Sequence, residues 1–306
     1  MIRVRKAPAY ATVQDTGRRG FLASGVPRAG AMDLPALTTL NVLLGNDMGA
    51  AGIEWALTGG ELEFGDATVF AVGGAEASVS LGSTQLDAYR AYGTAAGETL
   101  SIDAITGGRF VYIVFAGGID CGVVMTSRST YAPGRFGGLE GRRIKGGDVL
   151  TVGTSGGRRR RQFSDALPNE LRPVRSREAI RFVPAEGGDA VTVEGRYTVS
   201  HASDRTGYRL VGEPRENGAS ITSEPVCPGV IQLPPDGEPI VLMSDAPTIG
   251  GYRIAGAVIS ADLGALAQRL PGEAISLEPV TVEQAQKELE AQAGLLAQVR
   301  EWCLCD

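Results

Sequence analysis

The sequence predicts a mainly β protein built in two strand-rich halves with a few short helices, and three observations carry that expectation. Glycine supplies 43 of the 306 residues, about twice the usual share of roughly 7%, which suits many tight turns between short strands. Short alternating or continuously apolar runs recur between turn residues, as strands do. A glycine-, arginine- and proline-rich stretch, GTSGGRRRRQFSDALPNELRP (153–173), has no apolar period and separates two groups of such runs. The length suits two domains or one large one.

In the first half the strand-like runs are IRVRK (2–6), GIEWAL (52–57), ATVFAV (67–72), ETLSIDAI (98–105), FVYIVFAGG (110–118) and DVLTV (148–152). A helix is expected after Asp33, a good N-cap, with Pro35 in the first turn, Leu37, Leu40 and Leu44 on one face, and Gly45 at the stop. The stretch 153–173 reads as a solvated linker, although its arginines 158–161 could also grip an acidic partner or a phosphate. Strands resume as AIRFVP (179–184), VTVEGRYTVS (191–200), VIQLP (230–234), PIVLMS (239–244) and AGAVIS (255–260). PPDG (234–237) should turn one strand into the next, since proline fixes φ and glycine accepts positive φ. A short helix begins at Asp262 with Leu263, Leu266 and Leu270 on one side. A longer one begins at Thr281, where Thr281 and Gln284 form a possible capping box and Val282, Leu289 and Leu296 recur every seven residues. That stripe packs on its own domain or docks on a partner chain.

Composition excludes several function classes. Hydrophobic residues make 43% and charged residues 21%, as in ordinary folded proteins, and the net charge of −6 opposes a surface built to neutralise phosphate backbones. No nucleic-acid partner is expected. MIRVRKAPAY lacks the apolar run of a secretory leader, and nowhere do about 18 apolar residues run together, so a cytoplasmic chain without membrane contact is expected. Cys121, Cys227, Cys303 and Cys305 form no CxxC pair and His201 is the single histidine, so no metal site is expected. Cys303 and Cys305 read as reduced thiols in a frayed tail.

The stretch QDTGRRGFLASGVPRAGAMD (14–33) holds glycines that bring main-chain N–H groups near a ligand, and Arg18, Arg19 and Arg28 offer forks for carboxylate or phosphate. Asp15 and Asp33 can hold those forks; equally, Asp15 and Arg18 can simply tie the loop to itself. A short echo links QDTGRRGF (14–21) to SDRTGYRL (203–210). Ser200, His201 and Asp204 are adjacent in sequence, but triad members meet in space, so His201 reads as a residue closing a strand. With one histidine, acid or base work would fall to Asp15, Asp204 or Asp245. Neither GxxxxGK[ST] nor a GxGxxG after a strand is present, so no nucleotide loop of those kinds is expected. FAGGID (115–120), SRSTYAPGRFGGLEGRRIKGGD (127–148) and SDAPTIGGYR (244–253) are further glycine-rich loops with polar handles.

Taken together, QDTGRRGF, GVPRAGAMD (25–33), LGN (44–46), IE (53–54), SRST (127–130), GGLEGR (137–142), SDRTGYRL, SEPVCPGVIQLPPDGEPIVLMSD (223–245) and GGY (250–252) resemble the biotin-dependent carboxyltransferase A/B family, in order, from about residue 3 to residue 285. The resemblance implies two cyclophilin-like β-barrel domains: 1–155 and 174–280, with 156–173 as linker and 281–306 as C-terminal helix and tail. It implies one of three functions. The first is a subunit of an ATP-dependent 5-oxoprolinase, a lactam hydrolase that opens 5-oxoproline to glutamate. The second is the carboxyltransferase part of urea carboxylase, receiving carboxybiotin from a separate chain and acting on urea or a related amide or amidine. The third is a noncatalytic antagonist of a kinase inhibitor. All imply a companion of the C/D type, and the first implies a third subunit and ATP bound through the assembled complex. A free-standing chain of this size is most similar to the 5-oxoprolinase type.

Carried over position by position, the blocks imply Asp15, Asp204 and Asp245 as catalytic carboxylates. Gln14, Arg18, Asp33, Arg128, Ser129, Glu140, Arg205, Tyr208, Gln232, Thr248 and Tyr252 follow as substrate- or anion-binding residues. The expected site is an anion-receptive pocket with residues 14–33 as one wall and the second half as the other. Three departures stand out. Pro247, Thr248, Ile249, Gly250, Gly251, Tyr252 and Arg253 replace the family's usual Gln-Thr-Thr-Gly-Gly-Tyr-Pro, Thr206 stands where methionine is common, and no Gly-Pro-Gln segment lies around 184–192.

Overall fold

A computed structural model describes residues 1–154, 165–174, 176–186, 191–216 and 218–305. The arginine run 158–161 and residues 187–190 of PAEGGDAVT lie outside the described residues. The chain divides into two compact units, one of residues 1–18, 29–175 and 294–306 and one of residues 19–28 and 176–293.

The first unit runs β1 (Ile2–Lys6), β2 (Tyr10–Gln14), α1 (Leu34–Leu43), β3 (Gly52–Ala56), β4 (Gly60–Phe64), β5 (Thr68–Leu81), β6 (Thr84–Gln85), β7 (Ala91–Thr94), β8 (Thr99–Phe115) and β9 (Val149–Leu150). Its sheet follows the order β2-β3-β8-β4-β1-β9, with β5 on the other edge of β8 and carrying β6 and β7. Among the described residues this ladder does not close, so the unit is a half-barrel. All five residues of β3 are buried, and β2 and β8 pair with it on its two edges. Trp55, Phe64, Phe70 and Phe115 fill the core, the Phe64 and Phe70 rings lying 5.1 Å apart. Burying a phenylalanine side chain of this kind contributes roughly 1.5 to 3 kcal/mol of transfer free energy.

Two runs expected as separate strands, 98–105 and 110–118, are one strand of 17 residues, β8. Gly107 and Gly108 (φ +92°) do not end the strand but are absorbed as a bulge, and the β5 register shifts there between Gly74 and Ala77. Helix α1 starts as expected: the Asp33 side chain accepts from the Ala36 N–H, Pro35 sits in the first turn, and Gly45 (φ +68°) closes the end. It is buried on every side from Ala36 to Leu43 rather than on one stripe. Asn46 fastens its end, donating to the Phe115 carbonyl and accepting from the Gly117 N–H. The described part of the expected linker is not a free connector. Leu167 is fully buried, its N–H donates to the Tyr89 carbonyl, and Arg172 stacks over the Tyr89 ring.

The second unit runs β10 (Ala179–Pro184), β11 (Gly195–Val199), β12 (Gly207–Val211), β13 (Ser220–Pro225), β14 (Val230–Leu233), β15 (Ile240–Leu242), β16 (Ile249–Val258), α2 (Leu263–Ala267) and β17 (Ala274–Pro279). Its order β10-β17-β11-β12-β15-β14-β16 returns to β10, closing a barrel of seven strands among the described residues, with β13 on β16. PPDG makes the expected hairpin, pairing Ile231 with Val241, and the Gly237 N–H (φ +76°) donates to the Pro234 carbonyl. Asp262 precedes α2 but caps nothing with its side chain. Both of its oxygens are drawn instead to the Arg181 guanidinium at 2.7 and 2.9 Å, because a bidentate charged pair outcompetes a single amide donor.

Helix α3 (Val282–Cys305) carries the expected capping box: the Thr281 N–H donates to Gln284 Oε1 at 2.8 Å and the Gln284 N–H to Thr281 Oγ1 at 3.2 Å. It continues to Cys305, so Cys303 belongs to a helix and not to a frayed tail. Val282 and Leu289 of its heptad stripe are exposed at 48% and 49%, against the reading that the stripe packs on its own domain.

Candidate functional site

In the first unit, Asp15 gathers the loop after β2 and the segment 127–130. Its Oδ1 accepts from the Gly17 N–H at 2.8 Å, from Ser127 Oγ at 2.6 Å and from Ser129 Oγ at 2.5 Å. Its Oδ2 accepts from the Arg128 N–H at 2.6 Å. Ser129 Oγ in turn accepts from the Asp15 N–H, and Ser127 Oγ from the Ser129 N–H. A carboxylate only 6% exposed and holding four donors fixes the loops around it.

Arg18 is 1% exposed, with its guanidinium donating to the Ser129 carbonyl and lying over the Phe136 ring. Gly137 (φ +72°) makes this possible, since a Cβ there would sit 2.0 Å from the Ser129 carbonyl oxygen. Gln14 is fully buried and donates to Thr12 Oγ1 and the Thr130 carbonyl, while its Oε1 has no partner among the described residues. Arg128 reaches Asp120 at 3.1 Å and keeps a partly exposed side chain. Cys121, beside this loop, has its thiol pushed up to about 11 by burial. The structure therefore unites Gln14, Asp15, Arg18, Arg128 and Ser129 around one carboxylate.

Asp33 belongs to a second buried group. Its N–H donates to the Tyr112 hydroxyl at 2.7 Å, and that hydroxyl donates to Glu54 Oε2 at 2.8 Å, which also accepts from the Met32 N–H. Burial, reinforced by the Glu54 and Asp33 carboxylates, raises the Tyr112 phenol well above its ordinary value. Glu140 stands apart: it is exposed, has φ +54°, and pairs with Arg142.

In the second unit Arg205 and Asp245 form a bidentate pair, both contacts 2.9 Å, with side chains 7% and 5% exposed. Asp204 is exposed, and its Oδ1 accepts from the Thr206 and Gly207 N–H groups. Asp15 and Asp204 thus make the same turn, each accepting from the amide two residues on, which gives the echo between QDTGRRGF and SDRTGYRL a physical basis. Tyr208 is fully buried and donates to the Ala267 carbonyl, so its hydroxyl anchors α2. Gln232 lies over Gly250, where a Cβ would come within 2.2 Å of Nε2, and that nitrogen has no partner among the described residues. Thr248 is half-buried and its carbonyl accepts from the Val226 N–H, whereas Tyr252 is 39% exposed. His201 follows β11 and is exposed.

Ser127, Glu54 and Tyr112 do not stand out as site residues in the sequence. The signal for Ser127 lies in SRST, where two serines two residues apart point the same way along an extended chain. An acid inside the apolar run GIEWAL is the signal for Glu54. Among the described residues no group of three or more His, Cys, Asp or Glu is placed to hold a metal ion, and no helix is long and apolar enough to cross a membrane.

Comparison with known proteins adds a lineage to this geometry. A family model described as carboxyltransferase domain, subdomain A and B, matches residues 24–279. The C-type 5-oxoprolinase subunit of Escherichia coli (strain K12) is 36% identical over 98% of this chain and 97% of its own length. The urea amidolyase of Saccharomyces cerevisiae is 29% identical over 95% of this chain, which spans 17% of that protein. Among solved structures, the urea carboxylase of Kluyveromyces lactis superposes with a TM-score of 0.90 at 28% identity, covering 99% of this chain and 29% of that one.

Proposed function

The chain belongs to the family of carboxyltransferase domains of the subdomain A and B type, and on that premise we propose that it is the C-type subunit of an ATP-dependent 5-oxoprolinase. The end-to-end match with the bacterial subunit supports this reading most, because both chains are accounted for over nearly their whole length. The partners in this reading are a C/D-type subunit and a third 5-oxoprolinase subunit.

A lactam resists hydrolysis because its nitrogen lone pair is delocalised into the carbonyl. ATP would supply phosphorylation of the amide oxygen, which removes that resonance. The sequence has neither GxxxxGK[ST] nor a GxGxxG after a strand, so this reading assigns nucleotide binding to the partner subunits. What this chain contributes is orientation, hydrogen bonding and proton handling. Asp15 is a positioning residue: with four donors already bound, it sets the Arg128 N–H and the two serines. Arg128, whose guanidinium is partly exposed, is the anion anchor of this loop. Arg18 braces the loop from beneath.

Gln14 Oε1 in the first unit and Gln232 Nε2 in the second are buried without a partner among the described residues, so each has hydrogen-bonding capacity to spare for a bound amide. Asp245 holds Arg205. Proton handling falls to Asp204, whose Oδ2 has no hydrogen-bond partner among the described residues. Mixing the chain with its partner subunits should give 5-oxoproline-dependent ATP hydrolysis, and silence of the complete mixture would reject the reading.

A second reading, carboxyl transfer from carboxybiotin to urea or a related amide, is favoured by the likeness to the urea carboxylase structure. Transfer of labelled carboxyl from a biotin carrier, in place of lactam-dependent ATP hydrolysis, would select it.

A further inference from the structure

A cavity of about 580 Å³ opens in the first unit where the β5–β8 ladder is broken by its bulges. Its volume falls in the range of small-molecule sites. Its apolar lining includes the half-buried Ala77 of β5, Pro173 and the exposed Ala88, while Ala75 beneath is packed into the core. The polar end is made by Asn169 and Arg172, from the described part of the expected linker, and by Tyr89.

Arg172 is held in place from two sides. Its Nε donates to the Leu167 carbonyl at 2.7 Å, and its guanidinium lies 5.7 Å from the centre of the Tyr89 ring. The Tyr89 ring is itself fixed, since its hydroxyl accepts from the Gly74 N–H at 3.0 Å. The two Nη groups of Arg172, which form the open side of the fork, have no protein acceptor among the described residues. Glu76, the one carboxylate on the rim, lies against β8, where a Cβ at Gly107 would come within 2.9 Å of its Oε2. A guanidinium oriented through Nε and an aromatic face, with both Nη groups open beside the small apolar side chains of Ala77, Ala88 and Pro173, is complementary to one ligand class.

The geometry points to a binding site for a short aliphatic carboxylate, its carboxyl on the Arg172 fork and its hydrocarbon body against Ala77, Ala88 and Pro173. This site is separate from the group around Asp15 and does not depend on the function proposed above. Both observations that define it, the bulged ladder and the stacked arginine, lie within the first unit.

The test is a saturation-transfer NMR titration of the full chain with butyrate, repeated in the presence of inorganic phosphate. Butyrate should bind saturably, and Arg172→Gln should weaken it about tenfold or more, as loss of a bidentate charged pair does. Ala88→Phe, an exposed position at the mouth, should weaken it comparably while leaving the thermal unfolding temperature unchanged. Excess phosphate should leave the butyrate signal in place. Absence of saturable binding, undiminished binding in Ala88→Phe, or displacement by phosphate would each overturn the proposal. Because the isolated chain is titrated, such a failure would leave the lactam reading untouched.

Discussion

Asp15 and Asp204 close the same kind of turn in opposite surroundings, one buried and the other exposed. Asp15 is buried with four donors on two oxygens, and Asp15→Asn would replace one acceptor oxygen by a donor facing the Arg128 N–H. A cost of about 2 to 4 kcal/mol is expected from lost charged hydrogen bonds and a buried donor clash, read as a lowered unfolding temperature. Asp204→Asn keeps its Oδ1 contacts and is exposed, so its stability should stay within about 1 kcal/mol of the parent while turnover of the assembled enzyme falls steeply. Asp245→Ala removes the carboxylate that holds the buried Arg205 guanidinium by two contacts and should destabilise by roughly 3 to 5 kcal/mol in chemical denaturation, because a buried charge that loses its counter-ion costs more than the pair contributes. The double change Arg205→Met with Asp245→Leu should recover most of that loss. Tyr112 adds a pH signature. Its folded value is raised, so the stability it contributes is complete below the unfolded tyrosine value of about 10 and is lost as pH rises through the higher folded value. Tyr112→Phe should flatten the alkaline fall of the unfolding free energy, and an unchanged slope would refute the assignment.

Among the helices, strands and turns, local chemistry was legible and distant competition was not. The Asp33 cap and the Thr281–Gln284 box are contacts within four residues, the PPDG turn is as local, and each appears as the sequence predicts. Asp262 is the counterexample: it has a capping residue's chemistry, but Arg181, 81 positions away, takes both oxygens. TGGR between two apolar runs reads as a turn, and only β5 lying alongside turns it into a bulge within β8. The bond from Ser127 to Asp15 was illegible for the same reason, since the two lie 112 residues apart. Gln284→Ala removes one arm of the capping box and should cost about 0.5 to 1 kcal/mol, visible as fraying of the first turn in amide exchange.

Across the chain from end to end, glycine content and the two groups of strand runs foretold a mainly β protein with few helices. They did not distinguish a closed barrel from an open one: the second unit closes through the β10–β16 pairing, whereas the first spreads β8 between β5 on one edge and β3 and β4 on the other. The motifs fixed lineage better than chemistry. Of the candidate residues, Gln14, Asp15, Arg18, Arg128 and Ser129 meet around one carboxylate, while Tyr208 and Glu140 are committed to other contacts.

If this chain works as one subunit of a lactam-opening assembly, its effect must show in the ATP hydrolysis of the complete mixture. The decisive assay combines the chain, its C/D-type partner and the third subunit, with and without 5-oxoproline. Lactam-dependent hydrolysis with glutamate formed in step is expected, absent when this chain is omitted and strongly reduced with Asp204→Asn. Hydrolysis that proceeds equally without this chain, or a complete mixture that ignores 5-oxoproline and carboxylates urea, would contradict it.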